Sequence, residues 1–185
     1  TDGNGLTING TYENEGTLYR QGGDTVSQTD IDSGEVVYRT VGGGVQDYGG
    51  TDYFTLKIAG GAQTLGANLT VADDLIISGG SLDGGTFTVT IPGDMLMYGA
   101  GQYIPNGSTV VMTSASDQEV RPVNSSFVNL TKSGGSTLTV TAAPLNVSGT
   151  LTLGAATDTL DLGTNDFTID TVVTNGGVIR IYGSQ

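Results

Sequence analysis

Carboxylates are the side chains of this sequence best suited to chemistry. Asp158, Asp161, Asp166 and Asp170 lie close together in the chain near a predicted corner, and Asp83 aligns with Asp161 in an internal repeat. Carboxylate oxygens are ligands that Ca²⁺ prefers, so Asp83, Asp161 and Asp166 are candidate calcium ligands, and calcium is the one cofactor considered. The alternative is that aspartates beside glycine and asparagine accept hydrogen bonds from backbone N–H groups of their own turns.

Other catalytic groups are scarce. The chain has no histidine and no cysteine, which removes the commonest general base, the thiolate nucleophile and any disulfide or thiolate metal site. Asp73 and Asp74 are adjacent, so on a strand they point to opposite faces and do not flank one sugar bond. We therefore predict no enzymatic activity, no catalytic residues and no cofactor-binding residues. A β-helical polysaccharide lyase or glycosidase is the alternative.

The charge balance restricts the partners. The chain carries 6 lysines and arginines against 19 aspartates and glutamates, a net charge of −13 at pH 7. Phosphate binding needs clustered basic residues, so we expect neither nucleic acid nor an anionic membrane surface as a partner. No apolar run approaches the length of a membrane span, so we expect no membrane insertion.

Strict alternation of apolar residues and threonine dominates the sequence. Residues 86–91 place Phe87, Val89 and Ile91 on one face and three threonines on the other, and residues 137–141 repeat the scheme. Alternation with period two over four to six residues indicates a half-buried strand. Glycine pairs separate these segments, and no segment has helical periodicity. The sequence therefore predicts an all-β protein.

An internal repeat sets the predicted organisation. The segment YFTLKIAGG at residues 53–61 matches FVNLTKSGG at residues 127–135, 74 residues later, and further blocks match in the same order. We predict one array without separate domains, made of a partial repeat (1–52), a repeat (53–126) and a shortened repeat (127–185). Repeats of short strands with tight corners are typical of solenoids, in which each coil buries its inner face against its neighbours.

The predicted fold is a right-handed parallel β-helix of about eight coils, each of about 22–26 residues. A β-sandwich or jelly roll is the alternative, since it also has short alternating strands with frequent turns. The residues predicted to fill the core are Phe54 or its neighbour Tyr53, Leu56, Ile58, Leu69, Val71, Phe87, Val89, Val111, Leu130, Leu138, Val140, Leu151, Leu153, Leu160, Phe167 and Ile169.

Several motifs resemble repeats of large secreted or surface-displayed bacterial proteins. They include Asn-Leu-Thr-Val at residues 68–71, Leu-Ile-Ile-Ser-Gly-Gly at 75–80 and Asn-Gly-x-x-Val-Val at 106–111. The order and composition are similar to those of filamentous-haemagglutinin-like and autotransporter-like β-helical stalks. The resemblance implies an extracellular or cell-surface structural or adhesive element, such as a rigid stalk, an adhesin or a filament-forming segment. Glycans or a host surface are possible partners, and carbohydrate binding is an alternative function.

Both termini fall inside a repeat. Residues 6–8 read like residues 87–89, and residues 178–181 stop just after a strand-like block. An uncovered solenoid end exposes apolar core and unpaired strand edges. We therefore expect the ends to be covered by flanking repeats of a longer chain or by end-to-end self-association.

Overall fold

The computed structural model describes residues 5–21, 24–39 and 43–182, and in these ranges the protein is all-β, without a helix. The strands are β1 (Thr17–Arg20), β2 (Glu35–Tyr38), β3 (Gly43–Val45), β4 (Thr55–Ile58), β5 (Ala62–Leu65), β6 (Leu69–Thr70), β7 (Leu75–Ile77), β8 (Ser81–Asp83), β9 (Thr88–Ile91), β10 (Met95–Met97), β11 (Gln102–Ile104), β12 (Thr109–Met112), β13 (Gln118–Arg121), β14 (Asn129–Lys132), β15 (Thr137–Val140), β16 (Leu145–Leu153), β17 (Thr159–Asp161), β18 (Phe167–Thr174) and β19 (Val178–Arg180).

Three parallel sheets form the faces of a β-solenoid of about eight turns. The sheets have nine, four and six strands, in the orders β1-β2-β4-β7-β10-β13-β15-β17-β19, β11-β8-β5-β3 and β18-β16-β14-β12-β9-β6. Every ladder between the described strands is parallel, which confirms the solenoid and rejects a sandwich of antiparallel sheets. Neighbouring strands of the nine-stranded sheet are offset by 18 residues (Thr17 to Glu35) to 25 residues (Met95 to Val120).

Apolar side chains stack in register along the inside of the solenoid. Leu56 pairs with Leu75, which pairs with Met95, and all three side chains are fully buried. In the six-stranded sheet, Val89 and Val110 continue a second such column. Full burial of each aliphatic side chain contributes about 1.5–3 kcal/mol, so the alternation drives the strands to stack. The threonines of β9 and β12 take the alternate positions and are half-buried.

Left-handed backbone residues turn the chain after strands of the nine-stranded sheet. A Cβ atom on Gly80 would collide with the carbonyl oxygen of Gly61 in the neighbouring coil. This close approach explains why glycine recurs at the corner. The corner residues are Gly61 (φ 71°), Gly80 (φ 68°), Gly99 (φ 57°), Asn124 (φ 54°), Ala142 (φ 63°) and Gly163 (φ 56°).

Ala142 is an exception to the glycine and asparagine of the other corners. The Ala143 N–H donates to the Thr141 carbonyl oxygen at 2.8 Å, which closes a γ-turn centred on Ala142. A γ-turn with a left-handed central residue is rare and strained, and a Cβ atom in this region costs about 1–2 kcal/mol. The corner after β15 is therefore a strained point of the backbone.

Most of the predicted core is buried. Tyr53 is fully buried whereas Phe54 is half-buried, which resolves the alternative between them. The prediction that Val111 lies in the core is wrong. In β12 the side chains of Val110 and Met112 point inward, and Val111 is half-buried. Phe87, Phe167 and Ile169 are half-buried and pack against the core. The fully or almost fully buried members are Leu56, Ile58, Leu69, Val71, Val89, Leu130, Leu138, Val140, Leu151, Leu153 and Leu160.

The 74-residue offset does not correspond to a structural period. The matched segments place β4 in the nine-stranded sheet and β14 in the six-stranded sheet. They also place β2 and β12 in those same two different sheets. The structural repeat is the single coil, and the sequence match reflects the strand-and-turn chemistry that all coils share. The division at residues 52 and 126 stays a prediction about the sequence.

Candidate functional site

The three predicted calcium ligands do not come together. Asp83 ends β8 of the four-stranded sheet, whereas Asp161 ends β17 of the nine-stranded sheet, so the two do not stack. Asp166 is exposed one residue before β18. In the described ranges, no group of three or more Asp, Glu, His or Cys residues is placed to hold a metal ion. Calcium binding by these residues stays a prediction without an assembled set of ligands.

These carboxylates act in turns instead. The Gly85 N–H donates to Asp83 Oδ1 at 2.8 Å, and the Gly163 N–H donates to Asp161 Oδ1 at 2.9 Å. Asp158 is fully buried and accepts from the Gly135 N–H at 2.8 Å and from a backbone N–H of its own turn. This is the alternative that the sequence left open, and the geometry explains the recurrence of aspartate near glycine.

A second set of carboxylates joins neighbouring coils. The Asp94 N–H donates to Asp74 Oδ1 at 2.7 Å, and the Glu119 N–H donates to Asp94 Oδ1 at 2.7 Å. Burial raises the pKa of Asp74, and the negative charges of Asp73 and Asp94 raise it further. The bonded carboxylates therefore hold coils together, one above the other, rather than facing a substrate.

Lys132 lies inside the solenoid. It occupies an inward position of β14 between Met112 and Leu153 and is fully buried. Its ammonium group donates to the Ser114 carbonyl oxygen at 2.7 Å, to Gln118 Oε1 at 3.0 Å and to a further backbone carbonyl oxygen at 2.9 Å. Burial lowers the pKa of Lys132. Ser114 and Gln118 lie in and beside the loop between β12 and β13, so the ammonium group holds this loop from inside the solenoid.

The interior at the N-terminal end is polar. Arg20 is almost fully buried, and its guanidinium group donates to the Tyr38 hydroxyl at 2.6 Å and to Gln46 Oε1 at 2.8 Å. The Tyr53 hydroxyl donates to the Gln46 carbonyl oxygen at 2.7 Å and bonds the Tyr38 hydroxyl at 2.9 Å. This network fills the first coils with polar groups, of which the Arg20 Nε atom alone has no hydrogen-bond partner, where later coils have mainly aliphatic residues.

The C-terminal end is apolar and open. β18 and β19 are the last strands of their sheets and pair on one side only within the described part of the chain. Five of the nine exposed large hydrophobic residues lie between residues 172 and 182, and they are Val172 (44%), Val173 (50%), Val178 (49%), Ile181 (46%) and Tyr182 (51%). The unpaired edges of β18 and β19, with Ile181 and Tyr182, are called the end face below.

The end face combines two features of a docking surface. A free strand edge offers a row of unpaired backbone N–H and C=O groups to another strand. Exposed apolar residues grouped in one patch mark interaction sites, whereas single ones are ordinary. β18 spans eight residues, but its ladder with β16 shifts register between Val147 and Thr150, so the strand has two separately paired parts.

A shallow groove lies on the side of the solenoid at a corner. It has a volume of about 300 Å³. Two γ-turns border it: the turn closed by the Ala143 N–H and one in which the Val123 N–H donates to the Arg121 carbonyl oxygen at 3.0 Å. Its volume is at the lower limit for small-molecule sites. The lining is uncharged and consists of Pro122, Asn124, Ser125, Ser126, Ala143, Pro144 and Asn146.

The expectation that flanking repeats or self-association cover the ends of the solenoid stays a prediction. The groove was missed, because it depends on how two corners stack. Lys132 was also missed as an interior residue, although the alternation of Leu130 with Lys132 signals that both share the inward phase of β14.

The described strands define this chain as a parallel β-solenoid of about eight turns. No protein-family model, curated protein or solved structure matches it. None of the described residues forms a helix long and apolar enough to cross a bilayer.

Proposed function

We propose that this chain is a non-enzymatic structural element, a stiff spacer that works by docking at its ends in an extracellular or cell-surface assembly. The observation that carries the proposal is a rod in which parallel ladders join the described coils along three sheets. A stack of coils resists bending because each coil is bonded to both neighbours along its sheets.

The use of the polar groups supports a structural role. The bonded aspartates serve turns or join coils, and the buried Lys132 holds a loop. A catalytic group needs a free acid, base or nucleophile facing a substrate cleft. The groove on the side of the solenoid has no ionisable side chain in its lining, so it offers no such group.

The surface composition supports an exposed setting. Outward strand positions are rich in threonine, and the net charge of −13 keeps rods apart from one another along their sides. Adhesion to glycans or to a host surface belongs to the same proposal, because a stiff rod can also carry an adhesive surface.

The decisive experiment is a turnover screen on polysaccharides with the purified chain. We expect no product from any of them. Release of oligosaccharides that is abolished by Asp161→Asn or Asp166→Asn would replace the structural function with a glycosidase or lyase activity. Asp47→Asn, at another exposed aspartate, is the matched control for general effects of charge.

Carbohydrate binding without turnover is a second candidate, favoured by the groove. Its uncharged amide, hydroxyl and proline lining suits a neutral sugar, since sugar hydroxyl groups bond to amides and hydroxyls. A glycan array tests it with the variant Asn146→Ala, which removes an exposed groove amide. Gln102→Ala, an exposed amide on β11 outside the lining of the groove, is the control. Binding that Asn146→Ala weakens and Gln102→Ala leaves unchanged would establish this function.

A further inference from the structure

The basic side chains on the outside of the solenoid all belong to one sheet. The chain has 6 lysines and arginines, and two of them, Arg20 and Lys132, are buried inside. All six lie in the described ranges, so the other two sheets present no cationic side chain on their outer faces there. The four outer ones lie in strands of the nine-stranded sheet or directly follow one, and they are Arg39, Lys57, Arg121 and Arg180.

A row of six residues runs along the outer face of this sheet, one from each of six neighbouring strands. The members pair in register and alternate with buried positions, so their side chains point away from the core. At about 4.8 Å per coil the row is about 24 Å long. The six-stranded sheet has Thr90 and Thr131 at such positions. This outer row consists of Tyr19, Val37, Lys57, Ile76, Leu96 and Arg121.

An arginine is stacked on a tyrosine near each end of the outer row. The guanidinium carbon of Arg39 lies 3.3 Å from the centroid of the Tyr19 ring, and that of Arg121 lies 4.7 Å from the centroid of the Tyr98 ring. Stacking on a ring leaves the N–H groups at the edge of the guanidinium plane available to an acceptor. Within the described part of the chain neither arginine has a carboxylate partner, and Arg121 Nε is buried without a hydrogen bond. The two stacks therefore present unpaired positive charges four coils apart, about 19 Å.

Carboxylates on the same face have partners within the chain. Glu35 pairs with Lys57 at 3.5 Å. Asp74 and Asp94 each accept a backbone N–H of the next coil at 2.7 Å. At physiological ionic strength, charges farther apart than about 8 Å are largely screened from one another. The net charge of −13 therefore does not prevent an anion from contacting the two stacks.

We propose that the outer row binds a linear polysaccharide that carries carboxylate groups and lies along the solenoid axis. The carboxylates contact Arg39 and Arg121, because a guanidinium group donates two parallel hydrogen bonds to a carboxylate. The C–H faces of the sugar rings lie on Ile76 and Leu96, which are half-buried between the two stacks. This inference rests on the proposed function, since it names the class of glycan that an adhesive rod binds.

The row suits this class better than it suits other polyanions. A peptide strand adds to a free sheet edge, but the strands from β2 to β13 in this sheet are paired on both sides, so recognition uses side chains. Nucleic acid needs clustered basic residues, whereas an aliphatic stretch separates Arg39 from Arg121. A uronic-acid polysaccharide repeats a carboxylate and an apolar ring face along one line, which are the two features that the row complements.

Calorimetry and affinity electrophoresis of the complete chain give the first test. The probes are polygalacturonate, alginate and hyaluronate, each with its methyl ester, which has the same backbone without charge. A calcium chelator is present throughout, so that calcium bridges to acidic residues do not contribute. We expect binding of the uronate polymers that weakens as salt is added, and no binding of the methyl esters.

Variants of the outer row give the second test. Arg39→Gln and Arg121→Gln should each weaken binding about tenfold, because a hydrogen bond between charged groups is lost. Arg180→Gln is the matched control: it removes the same charge from the same sheet outside the row, and it should bind like the unaltered chain. Leu96→Thr keeps the charge and should weaken binding about threefold, because aliphatic contact is lost. Circular dichroism and melting of each variant establish that lost binding is not a lost fold.

Four results would overturn the inference. They are no binding of any of the three polymers, equal binding of their methyl esters, equal weakening by Arg180→Gln and Arg121→Gln, and tighter binding of polyglutamate or single-stranded DNA than of every uronate polymer. Each of them leaves the stiff structural element in place. Release of oligosaccharides in the turnover screen would instead replace the proposed function and leave the binding result unchanged, so the two failures are separate outcomes.

Discussion

Tyr103 should make the solenoid sensitive to alkaline pH. Its side chain is 1% exposed, its ring packs against Phe127 with centroids 6.0 Å apart, and its hydroxyl bonds Ser108 Oγ at 2.6 Å. Burial raises the pKa of the Tyr103 phenol from 10.0 to about 12, and the negative charge of Asp83 contributes in the same direction while the Ser108 hydrogen bond opposes it. The folded protein therefore holds this proton more tightly than the unfolded chain does.

The sign and the size of the effect follow from linkage. A raised pKa in the folded state contributes stability that is complete below pH 10 and is lost as the pH rises through about 12. Two pKa units correspond to about 2.7 kcal/mol. Tyr103→Phe loses the Ser108 hydrogen bond, about 1 kcal/mol, but has no phenol to ionise. The variant should be less stable at pH 8 and more stable than the unaltered protein above about pH 11.

Urea unfolding at a series of pH values from 8 to 11.5 measures this crossover. Tyr48 and Tyr53 also have a pKa raised mainly by burial, but they are present in both proteins and cancel in the difference. Tyr98→Phe removes a partly exposed phenol and serves as the control. If the free energies of unfolding of the unaltered protein and Tyr103→Phe stay parallel with pH, the reasoning from burial to proton affinity is refuted.

Three further predictions concern stability. Ala142→Gly should raise the free energy of unfolding by about 1 kcal/mol by relieving the strained γ-turn, whereas Gly80→Ala should lower it, as urea unfolding would show. Because burial lowers the pKa of Lys132, the unaltered protein should gain stability as the pH rises towards 10, and Lys132→Met should lose that gain in the same titration. Leu130→Ala should cost about 2–5 kcal/mol in thermal or urea unfolding, against less than about 0.5 kcal/mol for the outward Thr131→Ala.

The fold was predictable because one physical rule repeats along the chain. Alternation of threonine with aliphatic residues specifies a strand with one buried face, and glycine marks the corners. It was harder to predict which alternate residues of a strand point inward. In β12 two valines are adjacent, and alternation alone does not decide whether Val110 or Val111 faces the core. The stacking against Val89 and Leu130 decides it, and that register is a property of the whole solenoid.

The site was less predictable than the fold for a related reason. Asp83 and Asp161 align in the internal repeat of the sequence. Because the coils differ in length, the aligned segments lie in different sheets. The ligands of a metal ion must lie close together in space. In this solenoid the residue offset between neighbouring coils varies by up to seven residues, so a fixed spacing in sequence does not give a fixed position in space. Local contacts are easier to predict from the sequence. The hydrogen bond from the Gly163 N–H to Asp161, for example, joins residues only two positions apart.

The geometry of a solenoid explains why its end is the place to look for function. Along the nine-stranded sheet, each described strand between β1 and β19 is paired with both neighbouring coils, so its backbone groups are used within the chain. Only the first and last strands of each sheet retain a free edge. In this protein the buried Arg20 network makes the interior of the first coils polar, whereas the last described coil continues aliphatic columns at Val172 and Ile179. A further coil or a partner that supplies an apolar strand edge would repeat, at the last described coil, the interaction that joins the coils along the solenoid.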